Sequence, residues 1–195
     1  MSTESVRPPF LDAPVPDAYP YEETHDLRTG PDLHPALRGL VPFIGVWRGR
    51  GGGEYPTIES FAYAQEVRIS HDGRPFVFYE SRSWLVGPDG EAIRPAFREA
   101  GWWRVVMADD QPTDEVEAMF CTPTGIMELY IGRLEGTRLE MATDAVLRTA
   151  SAKEVTAGQR LYGIVDRALL YAMDMAAVGQ PLRPHLAAKL TRVGG

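Results

Sequence analysis

The chain has 195 residues, 44% of them hydrophobic and 24% charged, proportions of a globular protein large enough for one sizeable core. Its 27 acidic against 20 basic residues give a net charge of −7, which argues against nucleic acid or an anionic membrane as principal partner. No apolar run approaches the ~18 residues of a membrane-spanning helix, residues 1–5 lack the basic start and apolar run of a secretion signal, and the single cysteine, Cys121, excludes an intramolecular disulfide and suits the cytoplasm.

Residues 1–33 form a separate regime. Six prolines (Pro8, Pro9, Pro14, Pro16, Pro20 and Pro31) are interleaved with Asp, Glu and Tyr. Proline fixes φ and removes a backbone donor, so neither helix nor sheet propagates there. The expectation is an irregular arm, with Phe10, Leu11, Tyr19 and Tyr21 available to lie across a neighbouring surface. A single folded domain then spans 34–195. It begins with Leu37, Leu40, Val41 and Ile44 at helical spacing, a short helix suited to closing one end of a barrel; Pro35 fits its first turn.

From Gly45 the pattern turns to strands. In Gly45-Val46-Trp47-Arg48-Gly49-Arg50-Gly51 the three glycines and the tryptophan share one parity, so one face carries an indole flanked by positions with no side chain. That face can bend, and it lets a backbone or a flat ligand approach closely. Phe61, Tyr63, Gln65, Val67 and Ile69 alternate with smaller or charged residues, and His71-Asp72-Gly73 reads as a hairpin turn. Further strands are predicted over 75–86, 97–107, 115–122, 125–134, 138–145, 153–165 and 168–175, with short connections rich in Gly, Asp and Pro. Successive strands joined this way close best as an up-and-down barrel, which removes exposed edges. The predicted fold is all-β, an antiparallel barrel of about ten strands able to admit a small ligand. The last segment, 180–190, has Leu186 and Leu190 four apart and is predicted as a helical turn.

No Cys pair or His-x-x-x-His spacing offers a protein-only metal site. Cys121, beside Ala118 and Phe120, reads as a small core residue. Of the four histidines, His25 lies in the arm, His34 starts the first helix and His71 belongs to a turn. His185 stands apart, between Pro184 and Leu186 and shortly after the Met-rich run Met173 to Met175. From position alone a lone histidine of this kind is more often a structural residue than a ligand.

The motif G-x-W-x-G-x-G followed by Tyr55-Pro56-Thr57-Ile58 resembles the signature of the nitrobindins, a family of haem-binding β-barrels. The segments Phe61 to Tyr79, Ala152-Lys153-Glu154-Val155-Thr156 and Met175 to Leu190 match as well, so the resemblance covers roughly 34–193. It implies one haem b per chain, with His185 as proximal iron ligand, Thr57 and Lys153 near the propionates, and Gly45, Trp47, Gly49 and Gly51 shaping the pocket; imidazole is an ordinary axial ligand. No catalytic residue beyond the haem iron is implied. The implied activity is nitric oxide binding and isomerisation of peroxynitrite to nitrate, and a homodimer is compatible with the family. One departure is Phe97, which stands where nitrobindins commonly have a histidine and removes a distal proton donor. Two other readings stand beside this one. A haem or nitric oxide carrier would use the same residues without turnover. A fatty-acid-type carrier without haem would need an inward cation for a carboxylate, for which Arg104, Arg160 and Tyr162 are the candidates.

Overall fold

The structure is a computed structural model and describes residues 18–195. Pro8, Pro9, Phe10, Leu11, Pro14 and Pro16 lie outside the described residues. A nine-residue 3-10 helix, Pro35–Phe43, precedes ten strands: β1 (Gly45–Tyr55), β2 (Ile58–Ser70), β3 (Phe76–Val86), β4 (Ala92–Ala108), β5 (Gln111–Cys121), β6 (Ile126–Glu135), β7 (Arg138–Arg148), β8 (Val155–Val165), β9 (Ala168–Ala177) and β10 (Arg183–Gly194). Each strand pairs antiparallel with its neighbour in sequence, and β1 pairs with β10 to close the barrel.

Alternation decides which side chains enter the barrel. On β2, Tyr63, Gln65, Val67 and Ile69 are buried, as their period of two predicts. Several loops reduce to two residues. Asp109-Asp110 joins β4 to β5 and Asp166-Arg167 joins β8 to β9, all four with positive φ. These are primed turns, whose twist matches that of the flanking strands, and Asp tolerates the conformation better than most residues.

The structure corrects two expectations. Residues 183–194 are a strand, not a helical turn, so one short helix is present among the described residues, at one end of the barrel only. Leu186 and Leu190 satisfy a period of two as well as a helical period. What decides is pairing: β1 and β9 each present an edge of unsatisfied N–H and C=O groups, and only a tenth strand satisfies both. Cys121 is exposed rather than core, because Ala118 and Phe120 take the inward parity of β5 and Met119 and Cys121 the outward one.

The helix end of the barrel is filled. Leu37, Leu40, Phe43, Trp47 and Trp103 are at most 1% exposed and belong to one cluster. The Trp47 indole N–H donates to the Phe43 carbonyl at 2.8 Å, and the Arg192 guanidinium lies 4.3 Å from the Trp47 ring centre. His34 caps the helix, its Nδ1 accepting from the Ala36 N–H. Upstream, Thr24 and His71 exchange two backbone hydrogen bonds of 2.8 and 2.9 Å, which tie the end of the arm to the barrel.

Candidate functional site: the open end of the barrel

The opposite end is hollow because β1 runs out of side chains. Gly49, Gly51 and Gly53 continue the inward parity of Trp47, and each space is taken by something else. A Cβ on Gly51 would come within 2.6 Å of the Tyr63 hydroxyl, and one on Gly53 within 2.2 Å of the Phe61 ring. Phe61 and Tyr63 therefore lie against bare backbone. A cavity of about 130 Å3 remains inside the barrel, its upper wall built from Phe61, Phe97, Met173, Met175 and Leu186. A second, solvent-open cleft of about 580 Å3 lies on the outer face of the barrel at the same rim, walled by Gly52, Gly53, Ala62, Pro184 and Ala187. His185 lines both.

The position of His185 follows from a bulge. On β10, Pro184 pairs with Asp174 and Leu186 with Met173, so His185 is an extra residue against β9. Pro184 has no N–H to give the ladder, which suits an interruption there, and a bulge re-aims the side chain it carries. Half-buried, the imidazole is held in two ways. Its Nδ1 lies 3.0 Å from the Glu54 carbonyl. A carbonyl only accepts, so in the neutral imidazole Nδ1 carries the proton and Nε2 keeps its lone pair. Its ring also meets Tyr55 edge-on at 5.5 Å between centres. Tyr55 is itself pinned, accepting from the Ala177 N–H at 2.8 Å and donating to the Met175 carbonyl at 3.1 Å. Sequence reasoning passed over Tyr55 and Glu54. Only the Tyr55-Pro56-Thr57-Ile58 motif pointed near them.

The remaining predicted residues divide. Thr57, exposed in the β1–β2 turn, and Lys153, exposed just before β8, lie at the same end as His185; Val155 at the start of β8 packs with Tyr55 and Ala177. Gly51 shapes the cavity through Tyr63, and Gly49 lets the backbone of Lys189 and Leu190 approach. Gly45 and Trp47 do not join them. Trp47 is six residues along β1 from Gly53, ~20 Å at the rise of a strand, and seals the other end.

At the floor of the cavity lies a cluster that sequence reasoning did not assemble. Arg160 on β8 is completely buried; its guanidinium donates to both oxygens of Glu99 on β4 at 2.7 and 2.8 Å and to Glu128 on β6 at 3.0 Å. Tyr79 donates to Glu99, Tyr130 to Glu128, and Tyr162 to Tyr79. Burial outweighs the help of Arg160 and pushes the Tyr162 hydroxyl up to about 12; burial raises Tyr79 and Tyr171 well above the ordinary phenol value too. For Arg160, burial works against its charge, yet Glu99 and its neighbours hold it well above the ordinary guanidinium value. Arg104, the other cation considered for an inward role, points outward to Glu117.

An imidazole with one nitrogen committed to a carbonyl and the other free, at the rim of an apolar hollow, is the donor set an axial haem ligand requires. Fold and site together define a barrel-type haem-binding protein. Comparison with known proteins makes this specific: the chain belongs to the family of the THAP4-like, haem-binding β-barrel domain, whose model matches residues 36–192. It is 66% identical over the full length of both chains to a protein of Salinispora arenicola named peroxynitrite isomerase. It is 44% identical to a ferric nitrobindin-like protein of Saccharopolyspora erythraea, over 89% of this chain and 81% of that one. A crystal structure of Rv2717c from M. tuberculosis superposes with a TM-score of 0.72 at 40% identity, covering 83% of this chain and 99% of that one.

Proposed function

We propose that this protein is a ferric haem b protein, one haem per chain, that isomerises peroxynitrite to nitrate and binds nitric oxide at the same open iron position. The observation that carries this reading is the His185 imidazole, pinned through Nδ1 to the Glu54 carbonyl and standing at the rim of the hollow end. When bound, the haem supplies the Lewis-acidic iron at which peroxynitrite rearranges.

The chain's own part is ligation, shape and exclusion. Glu54 and Tyr55 set the tautomer and angle of His185. Phe61, Phe97, Met173 and Met175 give an apolar wall that keeps water and competing donors away. Phe97 brings no ionisable group to that wall, so the proposed turnover uses no proton from this residue. Lys153 and Thr57, exposed at the same end, supply a cation and a hydroxyl for the propionates. Residues 34–195 are proposed as the haem-binding unit, preceded by the arm of 1–33. The fatty-acid reading loses its support, because Arg160 is already bound by two carboxylates and an anionic ligand would meet excess negative charge.

The test is a titration with ferric haem followed by absorption, for the wild type and His185→Ala, and then peroxynitrite decay against free haem. Wild type is expected to give a sharp Soret band saturating at one haem per chain and to speed the decay beyond free haem, with both lost in the variant. Identical spectra for wild type, variant and free haem would reject the reading.

A further inference from the structure

The floor of the cavity has chemistry that haem ligation does not use. Glu99 and Glu128 are 1% and 6% exposed and share a single cation, Arg160. With both ionised, the cluster carries one excess negative charge in a region removed from solvent. The same cavity is lined by Tyr63 and Gln65, 2% and 4% exposed. The Tyr63 hydroxyl and Gln65 Oε1 have no hydrogen-bond partner among the described residues, while Gln65 Nε2 donates one of its two N–H groups to Ser81 at 2.8 Å. Buried polar atoms without partners are rare, and each calls for a ligand or an ordered water.

The donor and acceptor count narrows the choice. Gln65 offers an acceptor and one remaining amide N–H, and Tyr63 a hydroxyl that both donates and accepts. Each carboxylate has about four lone-pair sites, of which Glu99 uses three and Glu128 two. The floor is therefore rich in free acceptors, and its charge excess is negative. Above it the wall turns apolar, through Phe61, Phe97, Met173 and Met175. At about 130 Å3 the space is worth on the order of four waters at liquid volume, so the occupant is small. An ammonium group has three donors, no acceptor and a positive charge.

We propose that the inner chamber of the barrel, beneath the rim that holds His185, is a second ligand site for a small primary ammonium ion on a short apolar chain. The ammonium lies on the floor of Gln65, Tyr63 and the two glutamates, and the short chain rises only to the underside of the apolar wall of Phe97 and the methionines. The site is separate from iron ligation and goes beyond the proposed isomerase activity.

The experiment is isothermal titration of the haem-loaded protein at pH 7 with n-butylammonium and, at matched ionic strength, with butyrate, while the Soret band is monitored. The expected result is saturable one-to-one binding of n-butylammonium, no binding of butyrate, and a Soret band that stays in place. Glu128→Gln is expected to weaken binding at least tenfold, and Gln65→Leu, which leaves the charged cluster intact, several-fold. Circular dichroism and the Soret band report whether each variant is folded. Binding of butyrate as tight as that of the amine, binding that survives both substitutions, a Soret shift showing the amine on the iron, or no binding at all would overturn the proposal; the last would leave a chamber filled by water.

Discussion

The two ends of the barrel are built on one strand and come out opposite. Along β1 the inward positions read Trp47, Gly49, Gly51 and Gly53. The indole and the 3-10 helix fill one end with side chains that are almost wholly buried, while the glycines leave the other end to Phe61, Tyr63 and a cavity. The inward parity is the same at both ends, so the side chains set on it, together with the helix at one end, separate a plugged core from a binding site. The layer between them is neither: it is the charged cluster of Glu99, Arg160 and Glu128, which stands at the boundary of the packed core and the hollow.

That contrast can be broken first at the boundary. Arg160→Met removes the only cation that two buried carboxylates share, and a buried charge left without its partner costs about 3–5 kcal/mol. It is expected to give the largest loss of stability, read as the urea midpoint of the haem-free protein. The next substitutions separate the two ends. Trp47→Ala empties the plugged end and is expected to cost about 3–4 kcal/mol while the barrel still takes up one haem per chain. His185→Ala is expected to do the reverse, with loss of the haem spectrum and a stability change under about 0.5 kcal/mol, as for a substitution outside the core. Loss of haem uptake in Trp47→Ala at a temperature where it is folded would show that the ends are coupled.

The smallest expected effect is a pH dependence at the arm. His71 is buried; burial lowers its pKa below the ordinary imidazole value, and Asp72 opposes this in part. The unfolded chain, with a pKa of about 6.5, then binds the proton more readily than the folded one, so this histidine's contribution is intact above that value and declines as pH falls below it. The urea midpoint of the wild type is expected to drop between pH 7.5 and 5.5 more than that of His71→Gln. Equal drops would remove His71 from the account.

Most of the barrel was legible in the sequence. Nine strands and most turns follow from alternation and from Gly and Asp at the bends, and the burial of Tyr63, Gln65, Val67 and Ile69 follows from one period. The tenth strand was misread because Leu186 and Leu190 fit two periods at once. Cys121 was misread because the apolar run Ala118-Met119-Phe120 before it hid its parity. Of the site, His185, Thr57 and Lys153 come from the family resemblance, and all three stand at one end. Gly45 and Trp47 belong to the same motif but to the other end, since the six residue steps from Trp47 to Gly53 reach across ~20 Å of extended chain.

By itself the sequence determined which segments extend, where they turn, which parity faces inward and where the inward face is bare, because these depend on neighbours close along the chain. Only the tertiary structure decided that β10 closes the barrel on β1, that a bulge lifts His185 toward the Glu54 carbonyl, and that Arg160 meets Glu99 and Glu128 across separations of 61 and 32 residues. The reason is physical. A period of two states which face a residue occupies, while the identity of its partner is set by strand order and register, which no local stretch of the chain contains.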